Sequence, residues 1–121
     1  MVVLPAAIQC SSPTGAACTA EFVTYPVVVT DPAGSPISDA HLTVTVRRTG
    51  QRLTAQTLIM YIAGTYPLID DGARPSLRET GDELRVVAGT TDASIEADYV
   101  FDVPGGCHVH KVSGPDTLVL P

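Results

Sequence analysis

Apolar and polar residues alternate with a period of two along most of the chain after residue 20. The clearest case is residues 41–47, in which Leu42, Val44 and Val46 share one face and polar residues share the other. Because successive side chains of a β-strand point to opposite faces, this pattern predicts a half-buried strand. The same alternation predicts strands at residues 83–88 and 94–102, and weaker strands at residues 22–30, 52–60, 64–70, 107–112 and 116–120.

Glycine and proline turn signals separate these segments, among them residues 31–34, 70–72 and 104–106. No segment sustains apolar residues at helical spacing for three turns. The pattern therefore predicts an all-β fold, either a two-sheet sandwich of seven to eight strands or a small barrel, and favours the sandwich. Pro26 and Pro67 lack a backbone donor, so their strands are predicted to lie at an edge or to be broken there.

The composition limits the chain to one folded domain. It has 121 residues, 45% of them hydrophobic and 17% charged. Residues 18–121 are predicted to form the domain, and the uncharged residues 1–17 a flexible N-terminal arm or a leader remnant. A formal net charge of -6 repels phosphate backbones and anionic lipid, so nucleic acid is not expected as a partner. No apolar run reaches the roughly 18 residues needed to cross a bilayer, so no membrane span is predicted.

Residues 27–40, with the sequence VVVTDPAGSPISDA, have the features of a β-hairpin. Asp31 is expected to cap the turn, Gly34 to supply a positive φ, and Pro36 to stiffen the return. This segment resembles the opening of carboxypeptidase-regulatory-like and transthyretin-like (prealbumin-like) domains, and Gly64-Thr65-Tyr66 followed by Leu68 is similar to a later strand of that group. The resemblance implies an antiparallel β-sandwich, immunoglobulin-like or transthyretin-like, with Greek-key connections. Such domains serve as linkers, surface modules, stabilisers and binding platforms.

One enzymatic branch of the transthyretin-like group hydrolyses a purine-breakdown intermediate. That branch ends in Tyr-Arg-Gly-Ser and uses an arginine and several histidines in a channel made by four subunits. Here residues 116–121 are Asp-Thr-Leu-Val-Leu-Pro, so the motif is absent. The sequence also has no Gly-x-Ser-x-Gly nucleophile motif, and no catalytic residue is assigned.

The chain has three cysteines, so at most one bridge can form within it and at least one cysteine is left over. We predict a disulfide between Cys18, just before the first strand, and Cys107, at the start of a late one; a Cys10–Cys18 pair and two buried thiols are the alternatives. A stable bridge requires an oxidising compartment, which predicts an extracytoplasmic protein, whether periplasmic, surface-exposed or secreted. Cys10 follows an apolar stretch and is a candidate for lipidation, although no Lys or Arg precedes that stretch and Gln9 replaces the small residue that such signals carry.

Two groups of residues are candidates for metal binding. His108 and His110 are two apart, so on a strand they would share a face, and His41 could add a third imidazole. Alternation places Val109 inside and both histidines of the pair in solvent. Asp70, Asp71 and Asp82 could offer oxygen ligands to calcium, but their spacing does not match an EF-hand loop. We therefore predict neither a metal nor another cofactor.

The sequence favours a non-catalytic exported module that contacts a protein or cell-envelope partner and exists as a monomer or homodimer. It has no membrane span, although a lipid anchor could attach it. The alternative is a metal- or small-ligand-binding domain, which could include hydrolytic activity, built on His41, His108 and His110.

Overall fold

The computed structural model describes residues 18–57 and 62–121. The predicted arm, Cys10 and part of the predicted strand at 52–60 therefore lie outside the described residues. Within them the chain forms eight strands and two 3-10 helices. The elements are β1 Thr24–Thr30, β2 His41–Val46, β3 Arg52–Leu53, β4 Thr65–Asp70, η1 Asp71–Ser76, β5 Asp82–Gly89, β6 Ser94–Asp102, η2 Pro104–Gly106, β7 His110–Ser113 and β8 Thr117–Val119.

The strands form two sheets, as expected for a β-sandwich. The larger sheet has the order β3-β2-β5-β6-β7, and the smaller has the order β4-β1-β8. The prediction of an entirely antiparallel sandwich is wrong at one place, because β8 runs parallel to β1 with Val29 opposite Leu118. Alternation shows which face a residue occupies and carries no information about the direction of the neighbouring strand. The Greek-key connectivity stays a prediction.

The strongest alternating segments become the strands that were expected, and the differences lie at element ends. At the predicted turn of residues 70–72, β4 ends at Asp70 and η1 begins at Asp71. The Asp70 side chain caps this helix by accepting the Gly72 N–H. The predicted strand at 107–112 begins only at His110, because η2 and a bend occupy the preceding residues. This later start alters the environment of His108.

The core lies between the inner faces of the two sheets. Tyr99 and Phe101 of β6 are fully buried, and the edge of the Tyr25 ring from β1 meets Phe101. The Tyr99 hydroxyl donates to the carbonyl oxygen of Pro115 at 2.6 Å, which satisfies its only buried polar atom. Burial raises the pKa of Tyr99 to about 12. The other fully buried side chains are mainly aliphatic, with the carboxylates of Asp70 and Asp82 among them, and include Val27, Val29, Val46, Ile69, Leu84, Val86, Val103, Val109 and Leu118.

The two strand prolines lie opposite each other, Pro26 in β1 and Pro67 in β4. The register shifts between Tyr25 and Pro26, and β4 is an edge strand of its sheet. On the other side of β1, strand β8 pairs only from Val28 onward. As predicted, each proline lies where the ladder is broken or at an edge, so no donor is missing from a continuous ladder.

The hairpin-like segment after β1 is held by the residues that the sequence singled out. The Asp31 carboxylate accepts the backbone N–H groups of Ala33 and Ser35 at 2.9 Å each. Gly34 has φ 88°. The Tyr66 hydroxyl donates to the Ile37 carbonyl at 2.5 Å and accepts the Ala40 N–H at 3.0 Å, so β4 fixes the far end of this segment.

We predict that Gly114→Ala is among the most damaging small substitutions. Gly114 has φ 131°, and an added Cβ would overlap the buried Tyr99 ring. Backbone strain and overpacking should together reduce the free energy of unfolding by about 2–4 kcal/mol, measured by urea denaturation. Gly34→Ala is the control, because Gly34 also has positive φ but has nothing within 4 Å of an added Cβ. Equal losses for both variants would contradict the packing argument.

Candidate functional site

The N-terminal segment is fixed to one end of the sandwich by the residues that we name the cysteine corner: Cys18, Thr19, Asp71, Cys107 and His108. The sulfur atoms of Cys18 and Cys107 lie at bonding distance, as predicted, with their Cα atoms 5.2 Å apart. The pair closes the chain across a sequence separation of 89 residues. It joins the segment before β1 to the bend before β7.

Asp71, the first residue of η1, holds the same two segments by hydrogen bonds. Its side chain is only 2% exposed. The Val23 N–H donates to Asp71 Oδ2 at 2.9 Å, and the Val109 N–H donates to Asp71 Oδ1 at 2.9 Å. His108 Nδ1 lies 2.6 Å from Asp71 Oδ2. One buried carboxylate therefore connects η1 to both chain segments that the disulfide joins.

The protonation of Asp71 depends on these donors. Burial alone would raise its pKa, since it penalises the charged form. The hydrogen bonds from the Val23 N–H, His108 and the Val109 N–H outweigh burial and lower the pKa below its ordinary value. Asp71 is therefore an anion at neutral pH and favours a proton on the imidazole nitrogen that faces it.

The prediction that both histidines of the pair face solvent is wrong for His108. Its side chain is 22% exposed and lies between Asp71 and Thr19, whose Oγ1 is 2.7 Å from His108 Nε2. The alternation argument fails because His108 precedes β7 and is not in a strand. His110 is 57% exposed as expected, and its Nδ1 lies 2.9 Å from Asp102 Oδ1.

Thr19, His108 and Asp71 follow the hydroxyl, imidazole and carboxylate order of nucleophilic relays. However, Thr19 Oγ1 also donates to Glu21 Oε1 at 3.0 Å. A hydroxyl has one proton to donate, so in this arrangement His108 Nε2 must be the donor toward Thr19. While Thr19 donates to Glu21, the imidazole cannot remove the hydroxyl proton, and the contacts hold the N-terminal segment in place.

The third candidate histidine is in a different place. His41 begins β2 and lines a cleft of about 380 Å³ between β2, β3 and β4, together with Leu53, Tyr66 and Leu68. In the ranges 18–57 and 62–121, no three or more His, Cys, Asp or Glu side chains are grouped so that they could hold a metal ion. The structure therefore does not bring His41, His108 and His110 together.

The calcium candidates are likewise not assembled into one site, because each carboxylate binds protein donors. Asp70 accepts the Gly72 N–H at 3.0 Å and the Thr57 N–H at 2.8 Å, and Asp71 has the contacts described above. Asp82 is buried and binds Arg48 through two hydrogen bonds of 2.8 Å. The Arg48 hydrogen bonds lower the pKa of Asp82 against the opposing effect of burial.

A shallow apolar groove adjoins the cysteine corner. Its volume is about 320 Å³, and its lining includes Val23, Tyr25, Pro104, His108, Val109 and His110. Phe22, on the N-terminal segment next to Val23, is 51% exposed. The only polar side chains among these lining residues are the two imidazoles and the Tyr25 phenol, so the groove suits an apolar contact better than an ion.

The large sheet has a charged outer face that pattern reasoning did not assign. Arg47 contacts Glu83, Glu96 and Asp98, and Arg85 Nη2 lies 2.9 Å from Glu96 Oε1. Arg85 and Glu96 lie on adjacent strands, and Arg47 follows directly after β2, so their partners could not be read from the sequence before the strand register was known. Exposed ion pairs of this kind contribute little to stability individually.

Comparison of the chain with family models, curated proteins and solved structures gives no match. The resemblance to carboxypeptidase-regulatory-like and transthyretin-like domains therefore stays a prediction. Among the described residues, no helix is long and apolar enough to cross a membrane.

We predict that Asp71 makes stability depend on pH in the acid range. Because the folded-state pKa of Asp71 is lowered, its contribution is present above the unfolded-state pKa and is lost as pH falls through the folded value. Urea denaturation should show the free energy of unfolding of the wild type falling between about pH 5 and pH 2, with a smaller fall for Asp71→Asn. At neutral pH the same substitution should cost about 1–3 kcal/mol.

The control for this measurement is Asp39→Asn, which changes an exposed carboxylate. It should leave the slope of stability against pH close to that of the wild type. Parallel pH profiles for the wild type and Asp71→Asn would show that the buried carboxylate is not the source of the acid sensitivity.

Proposed function

We propose that this chain is a non-catalytic, extracytoplasmic β-sandwich module that contacts a protein or cell-envelope partner. The observation that carries the proposal is the Cys18–Cys107 pair. Structural disulfides persist in oxidising compartments and are rare where glutathione and thioredoxin keep thiols reduced. A bridge of this loop length contributes up to about 4–5 kcal/mol in the chain-entropy treatment, a large share of a small domain's stability.

The use of polar groups at the cysteine corner supports the non-catalytic part of the proposal. Asp71 accepts two backbone N–H groups, His108 Nε2 lies 2.7 Å from Thr19 Oγ1, and Thr19 donates to Glu21. These contacts fix the N-terminal segment, and while Thr19 donates to Glu21 no imidazole nitrogen can act as a base toward its hydroxyl. Within the same proposal, Cys10 is a candidate site for a lipid anchor.

The alternative, a metal- or small-ligand-binding domain on His41, His108 and His110, has less support. His108 and His110 line the same groove but are paired with Asp71 and Asp102, while His41 lines the cleft between β2 and β4. Among the residues that the structure describes, the three imidazoles do not form one group.

The proposal predicts the state of the cysteines in the native host. Intact mass under non-reducing and reducing conditions, followed by peptide mapping, should show Cys18 linked to Cys107. Cys10 should carry a lipid, or the residues before Cys18 should have been removed. Three free thiols on an unprocessed chain would place the protein in a reducing compartment and refute the extracytoplasmic assignment.

A second prediction measures how much the bridge stabilises the domain. The double variant Cys18→Ala/Cys107→Ala should lose up to about 4–5 kcal/mol of unfolding free energy in urea denaturation, because its unfolded chain is no longer constrained. Cys10→Ala is the control and should retain wild-type stability. A loss in the control as large as that in the double variant would indicate that Cys10 takes part in the stabilising bond.

A further inference from the structure

Four side chains form one line of hydrogen-bond contacts across the cysteine corner. Glu21 Oε1 lies 3.0 Å from Thr19 Oγ1, Thr19 Oγ1 lies 2.7 Å from His108 Nε2, and His108 Nδ1 lies 2.6 Å from an Asp71 oxygen. Carboxylates at both ends can only accept hydrogen bonds. Each of the three contacts therefore needs a proton supplied from between the two ends.

Counting protons shows which form of His108 satisfies all three contacts. The Thr19 hydroxyl supplies one proton, and three contacts need three. A neutral imidazole supplies one more and leaves one contact with two acceptors facing each other. Only the doubly protonated imidazolium completes the line, by donating to Asp71 from Nδ1 and to Thr19 from Nε2 while Thr19 donates to Glu21.

We propose that the cysteine corner is a proton-dependent clasp, in which protonated His108 closes the contact between Thr19 and Glu21 and its neutral form opens it. When His108 loses its Nε2 proton, the Thr19 hydroxyl turns to donate to Nε2, and its hydrogen bond to Glu21 is lost. The inference goes beyond the proposed function and does not depend on where the protein is located.

The groups that face His108 carry both signs of charge. Asp71 of η1 contacts it directly, and Glu21 of the N-terminal segment lies one hydroxyl away. Arg74 of η1 adds a positive charge, since its guanidinium donates to the carbonyls of Asp71 and Cys107. Three further titratable groups lie nearby: Tyr25 and His110, which line the same groove as His108, and Glu79, which lies beside Gly106; His110 is paired with Asp102.

Opening the clasp would affect a short segment with a defined end. Cys18 remains joined to Cys107, and the next contact along the chain is the hydrogen bond from the Val23 N–H to Asp71, so the loss of order falls on residues 19–22 and weakens the protection of that hydrogen bond. This segment contains the half-exposed Phe22 and leads into Val23, which lines the apolar groove. The clasp thus makes the order of one wall of the groove depend on pH.

The test compares the wild type with Glu21→Ala, which removes the outer acceptor, at about pH 5.5 and about pH 8.5 on either side of ordinary histidine titration. The first measurement is NMR hydrogen exchange of the Val23 amide, expressed as the ratio of the two proteins at each pH so that intrinsic exchange cancels. At the lower pH the wild type should exchange about three- to tenfold more slowly than the variant. At the higher pH the two should agree within about twofold, because the Glu21 contact is already lost.

The second measurement is the ring nitrogen NMR spectrum of His108, which should show protons on both nitrogens at the lower pH and on Nδ1 alone at the higher. Glu21 is exposed, so Glu21→Ala should leave the sandwich folded. His110→Asn is the matched control, since it removes an imidazole outside the line of contacts and should reproduce the wild-type exchange at both pH values. An exchange ratio that is the same at both pH values, or a singly protonated His108 ring at the lower pH, would overturn the clasp.

Discussion

The buried carboxylate of Asp71 is the interaction on which the N-terminal end of the domain depends. A carboxylate removed from water is costly unless charge-assisted hydrogen bonds replace its hydration. Here the replacement comes from three places at once: the Val23 N–H, the Val109 N–H and the His108 imidazole. The segments that supply these donors must therefore assemble together, and the disulfide joins the same segments covalently. The disulfide holds the donor segments close to Asp71, and the hydrogen bonds to Asp71 hold the same segments where Cys18 and Cys107 can bond.

Asp82 meets the same physical problem with a different partner. Its carboxylate is also buried, but it binds the Arg48 guanidinium in a two-point contact and accepts the Arg78 N–H. Arginine remains protonated throughout the pH range in which proteins fold, whereas histidine changes charge within it. The buried carboxylate of Asp82 is therefore paired with a permanent cation, whereas at the cysteine corner the side-chain partner of the buried carboxylate is an imidazole.

The sequence was sufficient to predict what depends on local pattern. Strands such as residues 94–102 follow from alternation, and the placement of Cys18 before one strand and Cys107 beside another was enough to propose their pairing. The same reasoning failed for His108, because alternation was extended back to residue 107, whereas residues 107–109 form a turn and a bend before the strand begins at His110. It also could not find the partners of Asp71 or Asp82. Apart from the Arg78 N–H, those partners lie more than thirty residues away in the sequence, and only the tertiary structure brings them together.

The edge strands that the described residues give each sheet bear on how such a module could contact a partner. The large sheet ends in β3, which has two residues, and in β7, which has four. The small sheet ends in β8, which has three residues, and in β4, which contains Pro67. Short edges and prolines offer few consecutive backbone groups to an added strand, which protects a sheet against edge-to-edge association. Contacts through side chains, on the charged outer face of the large sheet or at the groove beside the cysteine corner, suit this architecture better than strand addition does.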